Sequence, residues 1–253
     1  MIQNFEALAS SQERRDALSI LESAYLSINT TAVIKNSVRR EGKLLHVADR
    51  VYNLDDIKNV YVVGLGKCAF EAAEALEDIL GDCLVDGVII DVKGGLLKRL
   101  RSYVGTHPLP TAVNVTAAGA VVDLVKNAKE DDLVICLISG GGSALFCHPF
   151  QINCEQLATI TKSLMEAGAT IQETNMVRKH LSEVQGGHLA KLSYPAQVVS
   201  LIFSDVPGDD LSMVASGPTV RDDTSAAEAA SVLQKYNIYG ASGFSKIDLL
   251  ETP

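Results

Sequence analysis

Residues 131–146, DDLVICLISGGGSALF, join a continuous apolar run to a run of three glycines. The apolar run, residues 133–138, has the length of a strand that is buried on both faces, as found in parallel sheets. Glycines permit positive φ, so the loop that follows can turn several backbone N–H groups toward one point. Because open α/β sheets bind ligands at the carboxyl ends of their strands, the pattern predicts an anion-binding loop, with a plain βα turn as the alternative. The loop consists of Ser139, Gly140, Gly141, Gly142 and Ser143.

Similar strand patterns recur on both sides of this stretch. Apolar runs occur at residues 59–63, 84–91 and 197–203, and apolar residues at helical spacing occur at residues 112–129 and 153–167. This alternation predicts an α/β fold built on a doubly wound, mainly parallel, Rossmann-like sheet. The loops that bind ligand are then expected to gather at one edge of that sheet.

The N-terminal part of the sequence has a different pattern. Apolar residues lie at helical spacing from residue 11 to residue 40, and a polar Asn-Thr-Thr interrupts them at residues 29–31. This pattern predicts a helical hairpin. We therefore expect residues 1–45 to form a helical segment packed on the main domain, and residues 46–253 to form the Rossmann-like α/β domain.

The composition is that of an ordinary globular chain of 253 residues, 47% of them hydrophobic. Its net charge of −9 argues against a nucleic-acid partner, because binding to phosphate backbones requires clustered Lys and Arg. The sequence contains no signal peptide pattern and no run of 18 apolar residues, so we expect a cytoplasmic protein without membrane contact. The five cysteines are an odd number without a CxxC pair, which predicts neither a disulfide framework nor a zinc site.

A second glycine loop follows the apolar run at residues 59–63. Its spacing, Gly64-x-Gly66-x-x-Ala69, matches the dinucleotide fingerprint only weakly, because the acidic candidate Asp91 lies further along the chain than that motif prefers. Lys67 begins the next predicted helix. A positive charge at this end of a helix interacts unfavourably with the helix dipole, at a cost of about 0.3–1 kcal/mol, unless an anion lies nearby. Lys67 is therefore a candidate functional lysine.

Two further segments contain candidate binding residues. His107 lies in a loop bounded by prolines, where it could serve as an acid, a base or a hydrogen-bonding partner of the substrate, or simply be held in place by the loop. Asn175, Arg178 and Ser182 fall near one face of a predicted helix, at positions i, i+3 and i+7. This polar stripe is a candidate ligand-facing surface.

Three carboxylates follow the apolar run at residues 197–203. Asp205, Asp209 and Asp210 supply hard oxygen ligands of the kind that Mg²⁺ uses alongside phosphate. Asp205 and Asp209 are the predicted metal ligands, and a pair of Asx turns is the alternative explanation.

Five motifs occur in a specific order and span most of the chain from residue 60 onward. They are GLGKCA at 64–69, THPLP at 106–110, LISGGGSALF at 137–146, NMVRKHLSEVQGGHLA at 175–190 and SDVPGDDLSMVASGPT at 204–219. In these motifs the chain resembles the glycerate 2-kinases of the MOFRL-associated type, a family for which the name hydroxypyruvate reductase is also in use.

The resemblance implies ATP-dependent phosphorylation of D-glycerate to 2-phosphoglycerate, with Mg²⁺, in a cleft between two α/β domains. It implies that Lys67 lies beside the substrate carboxylate or the transferring phosphoryl group, and that Arg178 holds glycerate or the phosphoryl group. Asp205 would organise the metal or the nucleotide, and the loop at 139–143 would bind anionic groups. Lys67, Arg178 and Asp205 are therefore the predicted catalytic residues, with Asn175 and His107 as predicted substrate-binding residues.

Members of the resembled family continue past residue 253 into a C-terminal domain that closes the cleft. We therefore expect a truncated chain that binds ligand weakly and is inactive alone, or one completed by a homodimer or by a separate C-terminal-domain chain. Two other functions stay open. One is an NAD(P)-dependent hydroxypyruvate reductase, and the other is a non-catalytic module that binds ligand or oligomerises.

Overall fold

The computed structural model describes residues 2–241 and 247–253. Residues 242–246, which belong to the predicted main domain, lie outside the described residues. The described part contains a three-stranded antiparallel sheet and a five-stranded parallel sheet.

The N-terminal part begins with three helices, α1 (Phe5–Leu8), α2 (Gln12–Ser27) and α3 (Thr30–Ser37). The side chains of Ser11 and Asn29 cap α2 and α3, because each accepts a hydrogen bond from a backbone N–H of the first turn. The predicted N-terminal helices are thereby confirmed. They differ from the predicted hairpin in one respect, since α2 and α3 are bent by 49° at their junction instead of folding back on one another.

A small antiparallel sheet follows, formed by β1 (Val38–Glu41), β2 (Leu44–Val47) and β3 (Arg50–Asn53). The prediction that the second helix continues to residue 40 is therefore wrong. Gly42, with a φ of +62°, lies in the tight turn between β1 and β2, and Val38 is buried, so strand pairing and burial outweigh helical spacing here. The predicted division between the N-terminal segment and the main domain falls inside β2 and stays a prediction.

Five parallel strands form the main sheet: β4 (Asn59–Leu65), β5 (Leu84–Asp91), β6 (Arg101–Val104), β7 (Asp132–Ser139) and β8 (Gln197–Phe203). Their order across the sheet is β6-β5-β4-β7-β8. Every residue of β7 is buried, which explains its continuous apolar run. The sequence patterns did not predict β6, because it is a four-residue edge strand without a buried residue.

Helices cover both faces of the main sheet. Asn153 caps the predicted helix after the glycine loop, and this prediction is confirmed. Within the described residues, the helices after β3 are α4 (Ala69–Leu80), α5 (Ala112–Lys126), α6 (Gly142–Leu145), α7 (Cys154–Glu166), α8 (Ile171–His180), α9 (His188–Ser193), α10 (Ala226–Lys235) and α11 (Ile238–Ala241).

The core of the described residues consists of three apolar clusters, two of which lie on the faces of the main sheet. On one face, Val62 of β4 packs in the same cluster as Leu76 of α4. On the other face, Val63 packs in the same cluster as Val121 of α5, because successive strand residues point to opposite faces. A third cluster joins α7, α8 and α10 around Val177. The predicted doubly wound α/β fold is confirmed.

The helix α2 lies outside these clusters. It has no buried residue, and Ile20 within the helix and Ile28 at its C-cap are 71% and 70% exposed. No single helix within residues 2–241 and 247–253 has the length and apolar character of a membrane span. The bent pair α2 and α3 meets that criterion together, by length and composition only.

Candidate functional site

The two predicted glycine loops lie side by side because β4 and β7 are neighbours. Their backbones are joined directly, since Lys67 N donates to Gly140 O at 3.0 Å, and Cys68 N donates to Ser139 Oγ at 3.3 Å. Gly66, with a φ of +117°, approaches Ser139 so closely that a β-carbon at Gly66 would lie 2.5 Å from the Ser139 carbonyl oxygen. Only glycine fits this position, and the two loops therefore form one rigid surface.

The loop after β7 brings three predicted site residues together. A β-carbon at Gly141 would lie 2.9 Å from Lys67 Cε and 3.3 Å from His107 Cδ2, so both side chains pack against this glycine. A β-carbon at Gly140 would collide with the carboxylate of Asp205. The glycines thus make room for a lysine, a histidine and an aspartate at the carboxyl ends of the strands.

Helix α8 contributes Arg178 to the same surface. Its Nη2 donates to Ser143 O at 2.5 Å, while its Nε is buried and has no hydrogen-bond partner among the described residues. Burial lowers the pKa of the Arg178 guanidinium. The sequence patterns did not single out Gln185, whose Nε2 donates to Ser143 O at 2.9 Å and to Phe146 O at 3.0 Å, and so fixes the end of the loop.

A left-handed turn at residues 215–217 connects the glycine loop to α8. Ala215, Ser216 and Gly217 have φ values of +52°, +60° and +57°, which is unusual for the two non-glycine residues. Ser216 is fully buried, and its hydroxyl lies 2.8 Å from Ser143 Oγ and donates to Asn175 Oδ1 at 3.4 Å. Sequence periodicity contains no signal for such a turn, so the contacts of Ser216 with Ser143 and Asn175 could not be predicted from it.

These residues border a cavity of about 1250 Å³ between the strand ends, α7 and α8. Of the predicted site residues, the cavity wall includes His107, Gly141, Ser143, Asn175, Arg178 and Asp205. Lys67 packs on the wall through its contact with Gly141, and Ser139, Gly140 and Gly142 shape the loop behind it. Asp210, the third carboxylate noted in the sequence, also lines the cavity, as do Thr174 and Met213, which the sequence patterns do not single out.

Of the two predicted metal ligands, Asp205 is part of the cavity wall. Asp205 lines the cavity, whereas Asp209 is exposed and does not contribute to the cavity wall. Asp210 lines the cavity, but its Oδ1 accepts hydrogen bonds from Ser212 N at 3.0 Å and Ser212 Oγ at 2.7 Å. Within the described part of the chain, no three His, Cys, Asp or Glu side chains cluster as a metal site. Mg²⁺ often uses one carboxylate together with substrate phosphates and water, and Asp205 fits that role.

Asp91, the acidic candidate of the dinucleotide fingerprint, has a structural role instead. Its carboxylate is buried, accepts a hydrogen bond from Phe70 N at 2.9 Å, and so holds the first turn of α4. A second hydrogen bond comes from Val92 N at 2.6 Å. Asp91 is therefore not available to a ribose hydroxyl.

All five cysteines are free, as predicted. Burial raises the pKa of Cys136 to about 12, and burial likewise raises the pKa of Cys147 to about 12. Both thiols are thus protonated and act as apolar core residues.

Comparison with known proteins places this chain in a family. Residues 16–246 match the family model described as "Domain of unknown function (DUF4147)". The chain is 37% identical over 240 residues to the glycerate 2-kinase of Picrophilus torridus, a match that covers 93% of this chain and 55% of that protein. It is 38% identical over 205 residues to the D-glycerate 2-kinase of Thermotoga maritima, covering 79% of this chain and 48% of that protein.

Two solved structures share the fold. The PH0495 protein of Pyrococcus horikoshii OT3 superposes with a TM-score of 0.84 at 37% identity, over 92% of this chain and 53% of that one. A glycerate kinase of Thermotoga maritima superposes with a TM-score of 0.77 at 32% identity, over 88% of this chain and 51% of that one. The chain therefore spans about half the length of the relatives that it matches.

Proposed function

This chain belongs to the DUF4147 family, and on that premise we propose that it carries one half of a glycerate 2-kinase site, which phosphorylates D-glycerate to 2-phosphoglycerate with ATP and Mg²⁺. The observation that supports this most directly is the cavity at which Lys67, His107, Arg178 and Asp205 meet the glycine loop. Two cations and one carboxylate around a glycine loop suit a reaction between two anionic substrates.

Phosphoryl transfer depends mainly on alignment of the reactants and on neutralisation of negative charge, and it needs no covalent nucleophile from the protein. Lys67 has no ion-pair partner among the described residues, and the Nε of Arg178 has no hydrogen-bond partner there. In the proposed complex these two groups bind the carboxylate of glycerate and the transferring phosphoryl group. Backbone N–H groups of the glycine loop add fixed dipoles.

The cavity also has room for both substrates. Its volume of about 1250 Å³ exceeds the roughly 300–1,000 Å³ of typical small-molecule sites. When Mg²⁺ is bound with the nucleotide it supplies positive charge to the phosphate oxygens, and Asp205 is the side chain that would hold it. Completion of the site by a second copy of the chain, or by a segment equivalent to the other half of the relatives' length, is part of the proposal.

A coupled assay of ADP release tests this function. We expect D-glycerate to stimulate ADP release from MgATP, and the substitution Lys67→Ala to reduce turnover roughly 100- to 1,000-fold, as for other preorganised charges at reacting groups. Lys126→Ala is the matched control. Lys126 is the last residue of α5 and precedes β7, so it lies near the amino ends of the strands, opposite the ligand loops.

The same preparation distinguishes the alternatives. Absence of glycerate-dependent ADP release, together with absence of D-glycerate binding by titration calorimetry, contradicts the kinase proposal. Consumption of NADH in the presence of hydroxypyruvate would support a reductase instead.

A further inference from the structure

His107 is the cavity residue whose side chain has the least explained role. Its ring packs against Gly141, next to the methylene groups of Lys67. Among the described residues, neither ring nitrogen has a hydrogen bond or an ion pair, although His107 lines the cavity. An imidazole with both nitrogens free, set beside the predicted phosphoryl-binding groups, is available to the substrate.

We infer that His107 is the general base that accepts the proton of the substrate hydroxyl as this hydroxyl attacks the phosphoryl donor. The inference rests on the proposed function and deepens it. In this step the hydroxyl O–H bond breaks and its proton moves to a ring nitrogen of His107. The oxygen forms a bond to the γ-phosphorus of ATP, and the bond to the β-phosphate oxygen breaks, with its electron pair leaving on ADP. Because His107 is exposed, the proton then passes to solvent.

The charges around the ring favour this role. The ring is exposed to solvent on one side only, and its partial burial in the wall lowers the pKa of His107, as do the positive charges of Lys67 and Arg178. Asp205, Asp210 and Glu166 are the carboxylates that line the same cavity, and Glu166 pairs with Lys162, whose Nζ lies 3.7 Å from Glu166 Oε1. The cations that gather anionic substrates therefore also keep the imidazole neutral, which is the form that accepts a proton.

The neighbouring groups are less suited to the same task. Lys67 and Arg178 are cations and cannot accept a proton. Asp205 lies against Gly140 and is the carboxylate proposed to hold Mg²⁺, which would engage its lone pairs. Asp210 Oδ1 accepts hydrogen bonds from Ser212, and Glu166 pairs with Lys162. His107 is the base on the wall without a hydrogen bond or ion pair among the described residues.

The dependence of rate on pH tests the inference. The active form is the neutral imidazole, so kcat/KM should rise with pH through a pKa below the ordinary imidazole value of about 6.5. Bound anionic substrates oppose the effect of the two cations, so the corresponding rise in kcat should lie at higher pH. We expect His107→Asn to lower kcat by roughly 100-fold or more and to abolish this acid limb. The control His46→Asn, in β2, should leave the profile unchanged.

The substitution Asp205→Asn tests whether Asp205 is the base instead of His107. It should lower the rate but retain the acid limb. Persistence of the acid limb in His107→Asn, or its loss in Asp205→Asn alone, overturns the inference.

Nitrogen-15 NMR of the histidine rings provides a test that does not depend on turnover. At neutral pH we expect a neutral His107 ring, and we expect one of its nitrogens to shift on addition of D-glycerate but not of 3-hydroxypropionate, which lacks the 2-hydroxyl. Binding of D-glycerate without this shift overturns the inference alone. Failure of D-glycerate to bind at all contradicts the proposed function.

Discussion

The hydroxyl of Thr174 is an unsatisfied group inside the cavity wall. Thr174 is only 3% exposed, and its Oγ1 has no hydrogen-bond partner among the described residues. A buried polar atom without a partner costs about 1–3 kcal/mol. Thr174→Val removes that atom at nearly constant shape. We therefore expect this variant to raise the free energy of unfolding by about 1 kcal/mol, measured by urea denaturation of the ligand-free protein.

Thr161 supplies the matched control for this substitution. It also lines the cavity from a helix, but its Oγ1 donates to Leu157 O at 2.8 Å. Thr161→Val should therefore lower the free energy of unfolding, by about 0.5–1.5 kcal/mol. If both valine variants are destabilised to the same extent, the Thr174 hydroxyl has a partner in solution and the prediction is wrong.

At the scale of elements, a buried ion pair ties α8 to the segment before α10. Lys179 Nζ lies 3.1 Å from Asp222 Oδ1, with side-chain exposures of 5% and 2%. Asp222→Asn leaves the Lys179 ammonium buried without a compensating charge, which costs about 3–5 kcal/mol. Asp78→Asn is the control, because its pair with Lys98 is exposed and contributes about 1 kcal/mol or less. Equal losses of unfolding free energy in the two variants would contradict this account.

The same pair has a defined dependence on pH. Burial raises the pKa of Asp222, but hydrogen bonds from Thr224 and Lys179 outweigh this effect, and the net shift is downward. A carboxyl with a lowered pKa in the folded state stabilises the protein above its unfolded value of about 3.9, and this contribution is lost as the pH falls through the folded value. Below about pH 4 the wild type should therefore lose stability more steeply than Asp222→Asn, in urea denaturation at a series of pH values.

For the molecule as a whole, the main sheet could be predicted from the sequence because its strands are buried on both faces. The bounds of β5 and β8 match the predicted runs. The sequence patterns do not predict β1 to β3 and β6, because each of these strands has four residues, which is too short for a long apolar run or a distinct alternation.

The candidate site, like the fold, could be predicted from the sequence only in part. The site residues lie together at the carboxyl ends of the strands because the strands are parallel and the loops after them are short. Both features can be inferred from the sequence. The left-handed turn at Ser216, the contact of Gln185 with the loop and the buried hydroxyl of Thr174 depend on how distant segments meet. The hydrogen bond from the first turn of α4 to Asp91 is likewise invisible in the sequence. Spacing alone therefore makes Asp91 a candidate for the acidic residue of a dinucleotide fingerprint.

The exposure of the site gives a final prediction at the scale of the whole molecule. Lys67, His107 and Asp205 are all exposed in this chain, which spans about half the length of its relatives. Water around these groups screens their charges, and charge neutralisation is what phosphoryl transfer requires. Adding the C-terminal half of the Picrophilus torridus glycerate 2-kinase in trans should therefore raise glycerate-dependent ADP release at least 10-fold. The rise should saturate with the added fragment and be absent with Lys67→Ala. Full turnover by this chain alone, unchanged by the fragment, would show that the exposed site is already complete.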